Sequence, residues 1–398
     1  MIVRDLSITL NNKKLLENIN IEFERGIRVI YGESGVGKTL LMVSIAGLND
    51  FFKINAEGEV YADCSLLFED TDNQIIGYRV KDEIEIAGID RKYLGLLGLE
   101  GYDDREVHTL SGGELKKLCI AEALSKNRKD IILDDPQSHL DSESFKELLE
   151  IIKELSREKA ILILTRRPDY YADCNHYLLR KDGLRKGACS FYFKKIRGRS
   201  ESGKRLIVEG RDITFSYGDK PIFSKVSFKF FSGISIVTGK NGSGKTTLLK
   251  IISGLLNYGG SIKFYVDGEK TVSYVHQFPE RVFFYSSVRE EAEFALGDLC
   301  SEILEVFKLN PEKKIKDMTR REKALLAIAC SMNAEVVCLD EPTASLDISG
   351  VNILLEAIES FDRNYIIASN DQTFVKSLSE VAEIYRLEDG VIKNEGHN

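Results

Sequence analysis

The sequence predicts an α/β protein built from two successive domains of the same kind. Three observations carry this prediction. A glycine-rich loop occurs twice, as Gly32-Glu-Ser-Gly-Val-Gly-Lys38-Thr39 and as Gly239-Lys-Asn-Gly-Ser-Gly-Lys245-Thr246. Each copy follows a short apolar, β-branched run and opens a stretch with helical periodicity. Landmarks in the two halves recur at a nearly constant offset, which is 207 residues for the loop lysines, and this indicates a tandem duplication.

The repeat sets the domain boundaries. A chain of 398 residues is long for one domain and sufficient for two. Near the middle of the chain, basic and small polar residues replace the periodic apolar ones. We therefore predict a first domain at 1–193, a basic linker at 194–206 and a second domain at 207–398.

The glycine-rich loops predict phosphate binding. The runs Ile27 to Tyr31 and Ile234 to Thr238 are expected to be strands, and Leu40 to Leu48 and Leu248 to Leu256 helices. In that context, backbone N–H groups and a helix N-terminus surround phosphates, the lysine reaches their oxygens, and the threonine hydroxyl holds Mg²⁺. A chance glycine-rich turn is the alternative, and two copies with the same flanks argue against it. We expect ATP and Mg²⁺ as ligands.

Composition narrows the class of protein. The formal net charge of −8 argues against broad nucleic-acid binding, so no specific nucleic acid is expected. The basic linker is the exception, and it could contact anionic lipid or RNA or serve only as a solvated tether. The seven cysteines lack metal-site spacing and are expected to be reduced thiols. Since no apolar run approaches the length of a membrane span, we expect a cytoplasmic protein.

Further motifs resemble those of the ATP-binding-cassette (ABC) ATPases over the full length of the chain. The first half carries Leu110-Ser-Gly-Gly-Glu114 and the acid-tipped run Asp130-Ile-Ile-Leu-Asp134, followed by Asp135-Pro136. The second half has Val336-Val-Cys-Leu-Asp340-Glu341-Pro342. The resemblance implies an α/β fold of two tandem ABC-type nucleotide-binding domains. Each would have an antiparallel β subdomain and a helical subdomain.

The resemblance also implies two ATP sites, each combining the phosphate-binding loop of one half with the LSGG-type signature loop of the other. The implied catalytic residues are Glu341, Gln277, Asn370 and Ser111. The implied metal ligands are Thr39, Asp134 and Glu69 in the first half, and Thr246, Asp340 and Gln277 in the second. The implied ATP-binding residues are Gly32, Ser34, Gly35, Gly37, Lys38, Thr39, Leu40, Gly112, Gly113, Asp135, Arg166, Tyr217, Gly239, Asn241, Gly242, Gly244, Lys245, Thr246 and Thr247.

Departures from the family pattern are unevenly distributed. Where the second half keeps Tyr217, Gln277 and Glu341, the first half has Leu10, Glu69 and Asp135. The histidine of the family is replaced in both halves, by Arg166 and by Asn370. An aspartate is one methylene shorter than a glutamate, which places its carboxylate about 1 Å from the position that activates water.

The signature loop shows the opposite trend, because it is intact in the first half and reads Met318-Thr319-Arg320-Arg321-Glu322 in the second. If the sites are built crosswise, the defects collect in one site and the intact parts in the other. We therefore expect the site with Lys38 to hold nucleotide with little turnover, and the site with Lys245 to hydrolyse it. In the alternative, both sites are inactive and ATP only clamps the halves together.

The segments 69–87 and 277–295 resemble the region of energy-coupling-factor and cobalt/nickel-type importer ATPases that receives the membrane subunit. The resemblance implies a motor subunit at the inner face of the cell membrane, bound to a membrane transporter subunit, whose fused cassettes replace a homodimer. The apolar residues Ile75, Ile76, Phe283 and Phe284 would face that partner or belong to the core. The alternative function is a soluble twin-cassette ABC protein of translation or ribosome-associated work. The transported substrate is not predicted.

Overall fold

A computed structural model describes residues 1–71, 74–187, 193–196, 204–266, 271–279, 282–388 and 390–395. The chain divides into two compact units, Met1–Phe191 and Tyr192–Asn398. The division lies two residues before the predicted end of the first domain. Among the described residues, no helix has the length and apolar character needed to cross a lipid bilayer.

The first unit contains strands and helices in alternation. Its strands are β1 (Ile2–Leu10), β2 (Lys13–Glu22), β3 (Gly26–Tyr31), β4 (Asn55–Tyr61), β5 (Cys64–Leu67), β6 (Asp130–Asp134), β7 (Ala160–Thr165), β8 (Asn175–Arg180) and β9 (Gly183–Lys186). Its helices are α1 (Lys38–Ile45), α2 (Asn49–Phe52), α3 (Val80–Ala87), α4 (Arg91–Leu96), α5 (Gly112–Ser125) and α6 (Ser142–Leu155).

The second unit repeats this order. Its strands are β10 (Leu206–Tyr217), β11 (Lys220–Phe231), β12 (Ile234–Thr238), β13 (Gly259–Phe264), β14 (Val272–Val275), β15 (Val336–Asp340), β16 (Asn364–Ala368), β17 (Ala382–Glu388) and β18 (Val391–Asn394). Its helices are α7 (Lys245–Ile252), α8 (Val288–Leu296), α9 (Cys300–Val306), α10 (Arg320–Ser331), α11 (Ile348–Ser360) and α12 (Gln372–Leu378).

Each unit pairs a mainly parallel sheet with a small antiparallel one. The larger sheets have the strand orders β5-β6-β7-β3-β8-β9 and β14-β15-β16-β12-β17-β18, in which the last strand is antiparallel. The antiparallel sheets have the orders β2-β1-β4 and β11-β10-β13. The predicted fold class is therefore confirmed, including the antiparallel β subdomain.

Alternation of side chains along the buried strands divides the core of the first unit into two layers. Ile132 and Leu162 face α1 and the antiparallel sheet, whereas Ile131 and Ile161 face α5 and α6 on the other side of the sheet. The helices α3, α4 and α5 form the helical subdomain on that second layer. This arrangement leaves the carboxyl ends of β3, β5, β6 and β7 at one edge, where parallel sheets bind their ligands.

The predicted linker is described only in part. The described start of the linker packs within the second unit: Lys194 forms an ion pair with Glu359 at 2.6 Å, and Ile196 is buried in the core of that unit. Residues 197–203, including Arg197 and Arg199, lie outside the described residues. The described lysines of the linker, Lys194, Lys195 and Lys204, form ion pairs with acidic side chains of their own unit.

Candidate functional site

Both glycine-rich loops have the shape that the sequence predicts for a phosphate cradle. Each loop joins a parallel strand to a helix, β3 to α1 and β12 to α7. Gly37 and Gly244 precede the helices with φ of 108° and 102°, which a side chain would strain. At Gly239 an added Cβ would come within 2.3 Å of the Leu387 carbonyl oxygen. The predicted loop residues Gly32, Ser34, Gly35, Lys38, Thr39, Leu40, Asn241, Gly242, Lys245, Thr246 and Thr247 lie on these two loops and the first turns of α1 and α7.

The loop lysines close their own loops. The Lys38 ammonium donates to the carbonyl oxygens of Gly32 and Glu33 at 2.8 and 3.0 Å. The Lys245 ammonium donates to that of Gly239 at 2.7 Å. Burial lowers the pKa of Lys38, against the opposing charges of nearby carboxylates. Each ammonium is thus held at the mouth of a ring of backbone N–H groups, where it can neutralise phosphate.

A threonine and an aspartate meet beside each loop in the way that Mg²⁺ binding requires. The Thr39 hydroxyl donates to Asp134 at 2.6 Å, and the Thr246 hydroxyl donates to Asp340 at 3.1 Å. Mg²⁺ prefers oxygen ligands and is commonly held by one or two carboxylates together with the phosphates of the substrate. The donor set therefore fits Mg²⁺ in both units, with the ion supplying charge neutralisation of the phosphates.

The residue after each acidic strand has an unusual backbone conformation. Asp135 and Glu341 have φ of 43° and 44°, in the left-handed region. Their N–H groups donate to the carbonyl oxygens of Leu164 and Ala368 on the next strand, each at 2.8 Å. Because both units hold this geometry, the two carboxylates point into corresponding positions and differ mainly by one methylene.

The first pocket, defined as the side chains around loop 32–39, contains a closed ionic cluster. The buried Arg166 guanidinium contacts Asp135 at 2.9 Å and Glu69 at 2.8 Å. Asp135 also accepts from the Thr165 hydroxyl and the Gln137 amide, at 2.9 and 2.6 Å. Burial alone would raise the pKa of Asp135, but the Arg166 charge lowers it. We call Glu69, Arg166 and Asp135 the arginine cluster.

The arginine cluster is anchored to α5. The fully buried Lys116 of that helix donates to the carbonyl oxygens of Phe68 and Glu69 at 3.0 and 3.2 Å. Gln74 holds the same loop, since its side chain accepts from the Phe68 N–H and donates to the Leu66 carbonyl oxygen, both at 3.2 Å. Glu69 is therefore fixed through its backbone as well as through its carboxylate.

The second pocket, defined as the side chains around loop 239–246, has the amides of Gln277 and Asn370 where the first pocket has Glu69 and Arg166. The Glu341 carboxylate accepts from the Asn370 backbone N–H at 3.1 Å and from the Ser369 hydroxyl at 3.3 Å. The Asn370 amide donates to Asn241 on the loop at 3.2 Å. Burial raises the pKa of Glu341 to about 7, against the opposing charge of Lys245. A carboxylate with such a pKa can accept a proton from water near neutral pH.

Gln277 also lies at the second pocket. It follows β14, which pairs in parallel with β15 so that Val275 lies beside Leu339. Its side chain therefore starts at the sheet edge where Asp340 ends β15. Tyr274, on the same strand, donates its hydroxyl to Asp340 at 3.0 Å. Tyr274 was not predicted as a site residue from the sequence. Its position three residues before Gln277 is the feature that could have identified it.

The two signature segments share one fold but differ in what surrounds them. Ser111 and Thr319 are the N-caps of α5 and α10, each in a capping box with the glutamate three residues later. Gly112 and Gly113 begin α5, and a Cβ on Gly112 would lie 3.1 Å from the His139 ring. In the second unit, Arg321 forms an ion pair with Asp347 at 3.0 Å. Arg321 therefore has an acidic partner in its own unit.

The two positions that the sequence predicts to stack on the base, Leu10 and Tyr217, differ in their surroundings. Tyr217, at the end of β10, is half exposed and packs edge-on against Phe215, with 4.8 Å between ring centroids. Leu10, at the end of β1, is partly buried against the core. An exposed aromatic face suits an adenine ring, and the aliphatic Leu10 offers no such face.

The segment after the Gln277 and Glu69 positions projects apolar side chains in both units. Ile76 and Phe284 are 77% and 85% exposed, and Ile86 and Phe294 are 57% and 69% exposed. Both pairs are 208 residues apart. Ile75 and Phe283, by contrast, are partly buried and pack against the cores of their units. Asp72, Asn73, Glu280 and Arg281 lie outside the described residues.

A buried glutamate shapes each of these projecting loops. Glu83 accepts from the backbone N–H groups of Ile76 and Gly77, the former at 2.9 Å. Glu291 accepts in the same way from Phe284 and Tyr285, both at 2.9 Å. We call Ile76, Ile86, Phe284 and Phe294 the projecting residues. The role of these two glutamates was not predicted from the sequence, although Glu83 and Glu291 stand at the same register in the two halves.

Comparison with known proteins agrees with this geometry. The sequence model of the family described as ABC transporter matches residues 16–138 and 223–344, together more than half of the chain. A Methanosarcina mazei protein named "Putative ABC transporter ATP-binding protein" is 25% identical over 100% of this chain and 95% of its own length. The energy-coupling factor transporter ATP-binding protein EcfA1 of Thermotoga maritima is 32% identical over 46% of this chain and 78% of its own length.

Solved structures share the fold at low identity. A crystal structure of archaeal ribosomal stalk protein aP1 with archaeal ribosome recycling factor aABCE1 contains a chain with a TM-score of 0.73 and 18% identity. That match covers 96% of this chain and 88% of the other. A structure named RNase-L Inhibitor gives a TM-score of 0.72 at 18% identity, covering 95% and 87% of the two chains. With phosphate-binding loops, acidic strand ends and family matches in both halves, the chain belongs to the ABC transporter family and is an ATPase with two cassettes in tandem.

Proposed function

We propose that the chain is the ATP-hydrolysing motor subunit of an importer of the energy-coupling-factor type, bound through both cassettes to a membrane subunit. The projecting residues carry this proposal. Exposed apolar side chains that group together are typical of surfaces that a partner covers. The projecting residues recur at the same register in both units: Ile76 and Phe284 lie on loops held by a buried glutamate, and Ile86 and Phe294 lie on the helices α3 and α8 that follow. This recurrence supports two equivalent docking positions. The similarity to EcfA1 supports the same class of partner.

In this proposal, ATP is hydrolysed at one site. The second pocket provides Lys245, Thr246, Asp340 and Glu341, and Ser111 with its glycines would complete it from the other cassette. Glu341 would accept the proton of the attacking water while Lys245 and Mg²⁺ neutralise the phosphates. The first pocket would hold nucleotide and turn it over slowly, because Asp135 is short and already paired with Arg166. Closing and opening of the cassette pair would move the membrane subunit.

Membrane fractionation tests the importer. The wild-type chain, expressed in its native cells, should sediment with membranes. The double variant Ile76→Asp/Phe284→Asp should remain in the soluble fraction, because each charge would be buried in the interface. The matched control is Phe51→Asp, which alters an equally exposed aromatic residue, 83% exposed on α2. Recovery of the double variant with membranes at the wild-type level would contradict the proposal.

A soluble role in ribosome-associated work is the competing function. The solved structures of ribosome-recycling proteins share the fold at 18% identity, which supports the fold and not the partner. Sucrose-gradient sedimentation distinguishes the two functions. If the chain moves with ribosomal subunits in an ATP-dependent way while membranes hold none of it, the importer proposal fails.

A further inference from the structure

The three side chains that set the first pocket apart from the second contact one another. Glu69, Arg166 and Asp135 stand where the second pocket has Gln277, Asn370 and Glu341. In the first pocket they form two ion pairs, at 2.8 and 2.9 Å around one guanidinium. The replacements are therefore mutually complementary in charge, as a selected arrangement would be.

Two of the same three positions in the second pocket carry neutral amides, and the third carries the Glu341 carboxylate. Gln277 and Asn370 carry amides, and Glu341 is bound by a backbone N–H and a hydroxyl. Amide groups can turn toward an added phosphate or its Mg²⁺ without leaving a buried charge behind. The second pocket can therefore bind a nucleoside triphosphate more tightly than a diphosphate.

Arg166 cannot turn toward a γ-phosphate at the same low cost. Asp135 is 1% exposed and Arg166 is 8% exposed. Moving the guanidinium would leave a buried carboxylate without its cation, and that penalty exceeds the gain from one charge-assisted hydrogen bond. The arginine cluster is thus more stable with its own partners than with an additional phosphate group.

The loop that carries Glu69 is also prevented from adjusting. Lys116 and Gln74 bind the backbone of residues 66–69 at four positions. With the duplication offset of 208 residues, the corresponding positions in the second unit are Ala324 and Val282, which cannot form such bonds. The first pocket is therefore preset, whereas the loop of the second unit lacks these two polar anchors.

We propose that the first pocket does not discriminate between nucleoside diphosphate and nucleoside triphosphate, and that the arginine cluster is what removes the discrimination. This inference rests on the proposed function only in that the first pocket holds nucleotide. Its consequence is that ADP can occupy the first pocket while ATP is bound and hydrolysed at the other.

Calorimetric titration of the full chain tests the inference. In Lys245→Ala, which disables the second phosphate-binding loop, ADP and ATP with Mg²⁺ should each bind one site with Kd values within about threefold of each other. In Lys38→Ala, the remaining second pocket should prefer ATP by about tenfold or more. A tenfold ATP preference in Lys245→Ala, or the absence of binding by either nucleotide, would overturn the inference.

An exchange of residues provides the gain-of-function test. Adding Glu69→Gln and Arg166→Asn to Lys245→Ala installs the two amides of the second pocket and should raise the ATP preference to about tenfold. The matched control adds Arg157→Asn, which changes an exposed arginine on the same unit and should leave the ratio unchanged. If the exchanged chain still unfolds in a cooperative transition above the titration temperature and binds both nucleotides equally, the arginine cluster is not the cause.

These titrations measure binding alone. A chain that fails to associate with membranes, or that hydrolyses ATP at neither site, can still show equal ADP and ATP affinity at the first pocket. Failure of the inference and failure of the proposed function are therefore separable outcomes.

Discussion

Removing the Arg166 charge should destabilise the first unit. In Arg166→Met the side chain keeps most of its length and loses both ion pairs, leaving Asp135 buried without an ion-pair partner and with only the Lys38 charge nearby. Breaking a buried ion pair by removing one partner generally costs about 3–5 kcal/mol. We expect the lower end, about 3 kcal/mol, because Asp135 keeps the Thr165, Gln137 and backbone N–H donors. Glu69 is partly exposed and can be solvated.

The assay is thermal unfolding of the full chain without nucleotide. In a domain of this size 1 kcal/mol shifts Tm by about 2–4 °C, so the transition of the first unit should fall by about 6–12 °C. Hydrogen exchange of β6 and β7 assigns the transition to that unit. The control Arg157→Met should change stability by less than about 0.5 kcal/mol. A Tm for Arg166→Met within about 2 °C of the wild type would refute the reasoning.

Three further predictions concern the remaining sites. Because the pKa of Glu341 is raised to about 7, its carboxylate is protonated below that pH. We therefore expect kcat/KM for ATP to rise with pH through about 7 and then to level off. A profile that is flat from about pH 5.5 to about 8.5 would contradict the role of Glu341 as the base. Tyr217→Ala should raise KM for ATP about tenfold through lost stacking, while Leu10→Ala leaves it unchanged, which steady-state kinetics can measure. Glu83→Ala should speed amide exchange at Ile76 and Gly77, since their acceptor is lost; unchanged exchange there would show that the carboxylate is not a clamp.

The fold was predictable because its signals are local and occur twice. The strand-loop-helix units around Lys38 and Lys245 combine β-branched runs, glycines and helical periodicity within about 25 residues. The acidic runs ending at Asp134 and Asp340 became β6 and β15 with the predicted bounds. The helices α1 and α7 begin at the loop lysines, which is two and three residues earlier than the predicted starts at Leu40 and Leu248.

The arginine cluster was not predictable from one sequence. Each departure was visible at Glu69, Asp135 and Arg166, and each was interpreted by itself as a loss of catalytic chemistry. These residues come from the ends of three different strands, and no local pattern reports that those ends meet at a common edge. The role of Lys116 was not predictable for a different reason: a lysine in a helix is normally expected on the surface.

The docking segments illustrate the limit set by side-chain direction. Ile75 and Ile76 are adjacent and equally apolar, yet one packs into the core and the other projects from the loop. The loop that carries both residues has no helical or strand period, so the sequence could not assign a direction to either side chain. The hydrogen bonds from Ile76 and Gly77 to Glu83 set that direction.

The proposed function requires two unequal cassettes, with hydrolysis at the second pocket. Steady-state ATP hydrolysis by Lys38→Ala and Lys245→Ala, measured side by side in the full chain, tests it most directly. We predict that Lys245→Ala abolishes turnover while Lys38→Ala keeps a substantial part of it. Turnover that survives in Lys245→Ala and disappears in Lys38→Ala would contradict the account.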